Sequence, residues 1–479
     1  MKRKALAILM TAAMAATVLA GCGSSSSSAS TETKEEAVEE EAPAEEEEVA
    51  EEAAEEEAEE EVAEEAAGEY EYPDLTGVTL TLLDSTNGLA QGDEAAIERF
   101  EELTGATVDY SGRPGGTDGD NLIKTMLASG ELYDIFVYNS GSLLSALNPS
   151  EHMLDLSSID EIQDIIGTLN SAYQSAASVD GHLYGVPNNT CQGGVMLYRR
   201  DIYEELGLEV PETWSEFIDN CNAIKDAGYT PMISTCGSGS TWTSQVLFLG
   251  SAYSMLCEEP TFAEDFTAGT AKFATTPAAL RCWEHYEDLN GMYNTDNLAA
   301  TYDDGCEYLA SGDYAHYCML TQCIPTIATN YPEEIENIGV FAIPADDAAN
   351  TGLTFWVPDS WYFDKDTENL EGVIAWIHFV TSQDYYDTKM NATGATNGPA
   401  VVSGITLPDF IPTAITVDMQ KYFDEDKALP ALEFVTPVKG ANCEQITVEL
   451  TSGQTTGAEA AQKYDDDCYK SAVQQGLNW

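Results

Sequence analysis

The chain has 479 residues, with 84 acidic against 19 basic side chains and a formal net charge of −65 at pH 7. Beyond residue 72 the imbalance persists, at 62 acidic to 15 basic residues. A field of that sign repels phosphate backbones, which excludes nucleic acid as a partner and disfavours multiply anionic ligands; a neutral or cationic small molecule fits better.

In chain order, Lys2-Arg3-Lys4 precedes an apolar run from Ala5 to Val18 and then Leu19-Ala20-Gly21-Cys22. A basic start, a short apolar stretch and small residues form an export signal, too short to span a bilayer as a mature helix. Leu-Ala-Gly-Cys resembles the bacterial lipobox, which implies cleavage after Gly21, lipidation of Cys22 and a mature chain held on the outer face of the membrane. Residues 22–72 read as a tether: a serine run at 24–28 leads into Glu/Ala repeats, with 22 glutamates between residues 31 and 72. So many like charges, with only Ala and Val beside them, cannot bury enough surface to offset chain entropy.

Residues 73–479 are long enough for two lobes. Val78–Leu83 is a β-prone run, and a helix follows from about Glu94, with Ile97, Phe100 and Leu103 on one face and Gly105 as its stop. Thr107–Tyr110 reads as strand, 121–129 as helix and Asp134–Tyr138 as strand. That alternation predicts an α/β fold with a mainly parallel sheet, whose ligands sit beyond the carboxyl ends of the strands. The rule selects Asp84, Ser85 and Asn87, and Asn139 with Ser140, as loop residues facing a ligand. Thr213 to Glu216 is a Thr-x-x-Glu capping box opening a helix that ends at Gly228, which makes Trp214 a core residue. A second helix is expected behind Asp366 or Thr367, with Leu370, Val373, Ile374, Ile377 and Val380 inward.

Several blocks in this region resemble the extracellular solute-binding proteins of ABC transporters, in their sugar-binding family. They are 97–108, 126–130, Asp134-Ile135-Phe136, Asp180-Gly181-His182-Leu183-Tyr184-Gly185-Val186-Pro187, Tyr198–Tyr203, and Gly207-Leu208 with Pro211-Glu212-Thr213-Trp214. Further blocks at 309–312, 338–344 and 364–382 extend the resemblance over nearly all of 73–479. Arg199-Arg200 stands where the pattern has Asn-Lys. The resemblance implies a two-lobed, type II periplasmic-binding-protein-like α/β fold. Its hinge crossings are expected near Tyr184–Asn189, near Gly339–Pro344 and soon after the 367–381 helix. Lobe 1 would then comprise 73–185 and 341–380, and lobe 2 would comprise 186–340 and 381–479. The resemblance also implies ligand capture by closure, delivery to a permease, and action as a monomer.

Sugars are held by aromatic faces against ring C–H groups and by paired donors and acceptors on hydroxyls. The candidates are Asn188 and Asn189 at the first crossing, Trp242 after a Gly/Ser loop, and Trp356 and Trp361 around Pro358-Asp359-Ser360. The family commonly places a cleft Trp beyond a Gly-Lys-Ala-Ala-Met stretch; Gly312–His316 and then Gln322 stand there instead, which points to a smaller or more polar ligand. No Gly-x-Ser-x-Gly, His-Glu-x-x-His or phosphate-loop motif occurs, so no catalytic residue, cofactor or metal is assigned. Asp465-Asp466-Asp467 reads as a solvated charge run. A surface glycosidase or carbohydrate adhesin is the alternative. Besides Cys22, ten cysteines remain, which leaves disulfides and buried thiols both open.

Overall fold

The computed structural model describes residues 70–84, 92–114 and 116–479; Cys22, the tether through Glu69, Ser85 and Asn87 lie outside them. The compact unit of described residues includes Tyr70, whose ring stacks on His378 with centroids 3.6 Å apart, so residues 70–72 pack on the body and do not belong to the expected tether. The strands used below are β1 Thr79–Asp84, β2 Thr107–Gly112, β3 Ile135–Tyr138, β4 Gly185–Pro187, β5 Gln192–Arg199, β6 Thr230–Ile233, β7 Tyr314–Leu320, β8 Ile338–Ala342, β9 Leu353–Trp356, β10 Ser360–Phe363 and β11 Ala428–Pro430. Helices of eight residues or more are α1 Asp93–Thr104, α2 Gly116–Ser129, α3 Trp214–Ala227, α4 Pro277–Asp288, α5 Tyr302–Ser311, α6 Cys323–Asn330, α7 Leu370–Val380, α8 Gln383–Thr393, α9 Cys443–Thr451 and α10 Gly457–Gln474.

Two sheets organise the body. The first has the order β2-β1-β3-β10-β4, with β1 parallel to β2 and β3, and β10 antiparallel to β3 and β4. The expected parallel sheet is thus confined to three strands. In the second, β5 is the spine: it pairs antiparallel with β7 on one side, and with β8 and then β9 on the other, while β6 and β11 extend the edges. Period-2 alternation explains the first sheet's two faces. Leu80 and Leu82 point to the side of α1 and α7, while Leu83, Phe136 and Tyr138 join Ile123 and Leu127 of α2 on the other.

The lobe boundaries differ from the expected ones. Gly339–Pro344 is not a crossing: β8 lies wholly in the second sheet, in register with β5 from Ile338↔Arg199 to Ala342↔Val195. The chain returns to the first sheet at 357–359, between β9 and β10. The first crossing is at 188–191, and Asn188 N–H donates to Asp359 O. After α7 the chain stays on the first lobe through α8, because α8 packs on α1. It then runs beside the hinge at 395–399, where Cys191 N–H donates to Pro399 O, touches the first lobe again at Val402, and reaches β8 with the π-helix Ala414–Met419.

Three local expectations also change. Asn369, not Asp366 or Thr367, precedes α7: Thr367 Oγ1 donates to Asp134 and accepts from Asn369 N–H at 3.0 Å, which forms a turn ahead of the helix and does not cap its first turn; Leu370 faces outward at 44 % exposure. Asp465 and Asp467 are buried rather than solvated: Asp465 accepts from the N–H groups of Phe273 and Ala274, and Asp467 from Asn442. The ten cysteines are free thiols, nine of them buried.

Candidate ligand cleft

A cavity of about 350 Å³ lies where the two lobes meet the hinge, within the range of small-ligand sites. The first lobe contributes Tyr386, Lys389, Met390 and Thr393 from α8, and the second contributes Tyr302 of α5, Gln322, and Pro325 and Thr326 of α6. The hinge contributes Asn189, Thr190, Ala395, Thr396 and Asn397. Gly394, in the left-handed region at φ 70°, ends α8 and turns the chain into this wall. Thr190 and Thr396 join the adjacent hinge segments by a hydroxyl–hydroxyl bond of 2.8 Å.

The cavity's charge is neutralised from within. Lys389 Nζ lies 2.5 Å from Asp93 Oδ1, and both side chains are buried. It also donates to the Asn188 carbonyl at 2.9 Å, which accepts from Tyr385 Oη at 2.6 Å. Burial opposes the ammonium, but the facing Asp93 outweighs it and holds Lys389 above its ordinary value. The remaining polar lining is phenol, hydroxyl and amide, able to donate and accept without net charge, and Met390, Pro325 and Ala395 add apolar surface. Tyr302 Oη donates to the Gln322 carbonyl at 3.2 Å.

The described strand ends of the first sheet do not line this cavity, although they carry polar groups that bond one another. Asp84, fully buried, ends β1, and its carbonyl accepts from Arg113 N–H at 3.2 Å. Asn139 follows β3, and its Nδ2 donates to Asp359 Oδ1 at 3.1 Å. Burial pushes the Asp359 carboxyl up to about 6; the Arg113 guanidinium opposes this, and Glu433 and Asp84 reinforce it. Among the described residues no group of three His, Cys, Asp or Glu is placed to hold a metal ion.

Of the sequence-derived candidates, Asn189 and Gln322 line the cavity, while Asn188 holds Lys389 through its backbone. Asp84 and Asn139 sit at the ends of β1 and β3, outside the cavity lining, and Trp356 stands partly exposed at the end of β9 with Nε1 2.5 Å from Glu433 Oε1. Trp242 sits behind Tyr302, ring centroids 5.8 Å apart. Trp361 is corrected: it is 1 % exposed and packs edge-on against Trp376 of α7, inside the first lobe. Period-2 geometry explains the miss, since Ser360, not Trp361, points to Ser140 and Tyr173 on the other face of β10. Sequence reasoning missed Tyr302, Tyr386, Lys389, Thr396 and Asn397. The one available signal was a Thr-Asn-Gly-Pro turn directly after a helix bearing a rare cation.

The model of the bacterial extracellular solute-binding protein family matches residues 84–387. The multiple sugar-binding protein of Streptococcus mutans is 23 % identical over 301 residues, 60 % of this chain and 67 % of that protein. The melibiose/raffinose/stachyose-binding protein MelE of Bacillus subtilis is 28 % identical over 111 residues, 23 % of this chain and 24 % of that one. Among solved structures, a chitin oligosaccharide binding protein superposes with TM-score 0.69 at 21 % identity, over 83 % of this chain and 99 % of its own. The raffinose complex of RafE gives 0.68 at 20 %, over 82 % and 99 %. Two lobes on a three-segment hinge, a cavity between them whose Lys389 is paired with Asp93, and a family match over most of the body agree: the chain belongs to the bacterial extracellular solute-binding proteins.

Proposed function

We propose that this protein is the substrate-binding subunit of an ABC importer, tied to the outer face of the membrane through lipidated Cys22, and that its solute is a mono- or oligosaccharide. The observation that carries the solute class is the lining of the interlobe cavity, where Asn, Gln, Thr and Tyr groups from both lobes and the hinge surround a space whose one cation is already paired with Asp93. Such a wall matches alternating hydroxyls and apolar ring faces better than a charged solute. The names of the relatives, which bind raffinose, melibiose, stachyose or chitin oligosaccharides, support the same class. In this reading Asp84, Ser85, Asn87, Asn139, Asn189 and Gln322 contact the sugar with Tyr302 and Tyr386, and closure on the sugar forms the surface that the permease reads. The spacer of residues 23–69 lets a monomeric body reach the transporter.

Thermal unfolding of the purified body with raffinose, stachyose, melibiose and N,N′-diacetylchitobiose tests the reading. A sugar at 100 times its Kd stabilises by about 2.7 kcal/mol, and chromatography should recover it unchanged. Sugar turnover would support the surface glycosidase instead, and no stabilisation by any saccharide would remove the carbohydrate assignment. Metabolic labelling with radioactive palmitate, lost in Cys22→Ser, tests the anchor.

A further inference from the structure

Trp356 is held unusually firmly for a partly exposed indole. Its Nε1–H donates to Glu433 Oε1 at 2.5 Å, and the other oxygen of Glu433 is bound by Lys439 Nζ. Both charged side chains are largely withdrawn from solvent, at 15 % exposure for Glu433 and 27 % for Lys439. Beneath the ring, β5 carries glycine: a Cβ at Gly194 would lie 2.5 Å from Trp356 Cζ3, so only a bare backbone lets the indole lie on the strand. Phe355, on the opposite side of β9, faces Phe423 in the lobe interior, which leaves Trp356 on the other face. The segment carrying Glu433 also meets the first lobe, because Gly141 approaches the Glu433 carbonyl and the Phe434 ring. The indole therefore belongs to the second lobe's wall at the lobe junction, one residue before the 357–359 crossing.

An ion pair withdrawn from water adds little stability compared with apolar replacements, so its presence here calls for another role. Using the indole's single donor on Glu433 leaves the exposed ring as an apolar face in one orientation. A ring fixed in advance loses no rotamer freedom when a sugar stacks on it. We propose that Glu433, braced by Lys439, is a positioning residue that fixes Trp356 as a stacking platform for a pyranose ring. This inference rests on the saccharide reading above.

The test uses titration calorimetry with whichever of raffinose, stachyose, melibiose and N,N′-diacetylchitobiose the wild-type body binds, together with the indole N–H resonance of Trp356, assigned by its loss in Trp356→Phe. Trp356→Ala should weaken binding at least tenfold and Glu433→Ala threefold to tenfold. The double variant should bind no worse than Trp356→Ala alone, since both changes remove one platform. In the ligand-free protein Glu433→Ala should move the Trp356 resonance upfield and speed its hydrogen exchange. Glu433→Gln keeps an acceptor and should retain most of the affinity; it decides the matter if Glu433→Ala does not fold. Unchanged affinity in Glu433→Ala, or losses that add in full in the double variant, overturns the platform while leaving the saccharide reading intact. A wild-type protein that binds none of the sugars overturns both.

Discussion

Lys389 and Asp93 form a buried pair that ties α8 to the start of α1 at the edge of the cavity. Removing one partner strands a charge without water, whereas removing both leaves an apolar contact. Lys389→Met should therefore destabilise the body by about 3–5 kcal/mol in urea unfolding, and Lys389→Met with Asp93→Leu should recover most of the loss. His316 makes a different prediction at the same scale. It is fully buried; its Nδ1 faces the Pro231 carbonyl at 2.8 Å and its Nε2 the Tyr203 hydroxyl at 2.7 Å, a pattern that suits the neutral ring. Burial pushes its pKa down to about 4, against the pull of the carbonyl. The unfolded ring, near 6.5, binds a proton first. The stability contributed by the neutral ring is complete above about pH 6.5 and is lost as pH falls toward 4, roughly 3 kcal/mol in all. Asp359, raised to about 6, works in the opposite sense, because its folded form takes up a proton more readily than its unfolded form. The readout is therefore the difference between wild type and His316→Gln in urea midpoints across pH 4 to 7, with the variant showing the shallower acid loss.

At the scale of elements, the clearest case is α3, where Thr213 accepts from Glu216 N–H and the Glu216 carboxylate accepts from Thr213 N–H in return. Thr213→Ala should cost about 1 kcal/mol, measurable as a lower urea midpoint with unchanged sugar affinity, since α3 lies away from the cavity. This box was legible because it is written in four consecutive residues. So were α1 with its Gly105 stop, the strand at β3 and the burial of Trp214. What could not be read depends on partners distant in sequence. Ile338-Gly339-Val340-Phe341-Ala342 is equally apolar as a hinge segment or an interior strand, and only its pairing with β5 decides. Thr367 looks like a helix cap, but its hydroxyl bridges Asp134, more than 200 residues away, and the N–H of Asn369, so the helix starts two residues later. Asp465 and Asp467 look solvated until the N–H groups of Phe273 and Asn442 meet them. The cleft divides in the same way. Asn189 follows from a local turn at the first crossing, but Tyr302, Tyr386 and Lys389 are brought together only by docking α5 and α8 across the hinge.

For the whole molecule, function rests on how closely the lobes approach, and Gly141 is one point where the first lobe lies close against the segment that carries Glu433. A Cβ there would fall 2.8 Å from the Glu433 carbonyl and 2.9 Å from the Phe434 ring. Backbone contacts cannot yield as flexible side chains do, so Gly141→Ala should hold the lobes further apart, and Gly141 is not among the residues lining the cavity. Gly141 also has φ 71°, so alanine strains the turn itself. Gly130→Ala is a control for positive φ, at φ 71° with open space around the new methyl. Any ligand that binds only the closed form loses affinity in proportion to the lost closed population. Gly141→Ala should therefore weaken sugar binding by about tenfold, equivalent to about 1.4 kcal/mol. X-ray scattering should show a larger radius of gyration that saturating sugar reduces less than in wild type. Gly130→Ala should lose some thermal stability yet contract normally. If both variants contract as wild type does, closure does not pass through the Gly141 contact, and the lobes must be stopped instead by the approach of α6 to α8 beside the cavity.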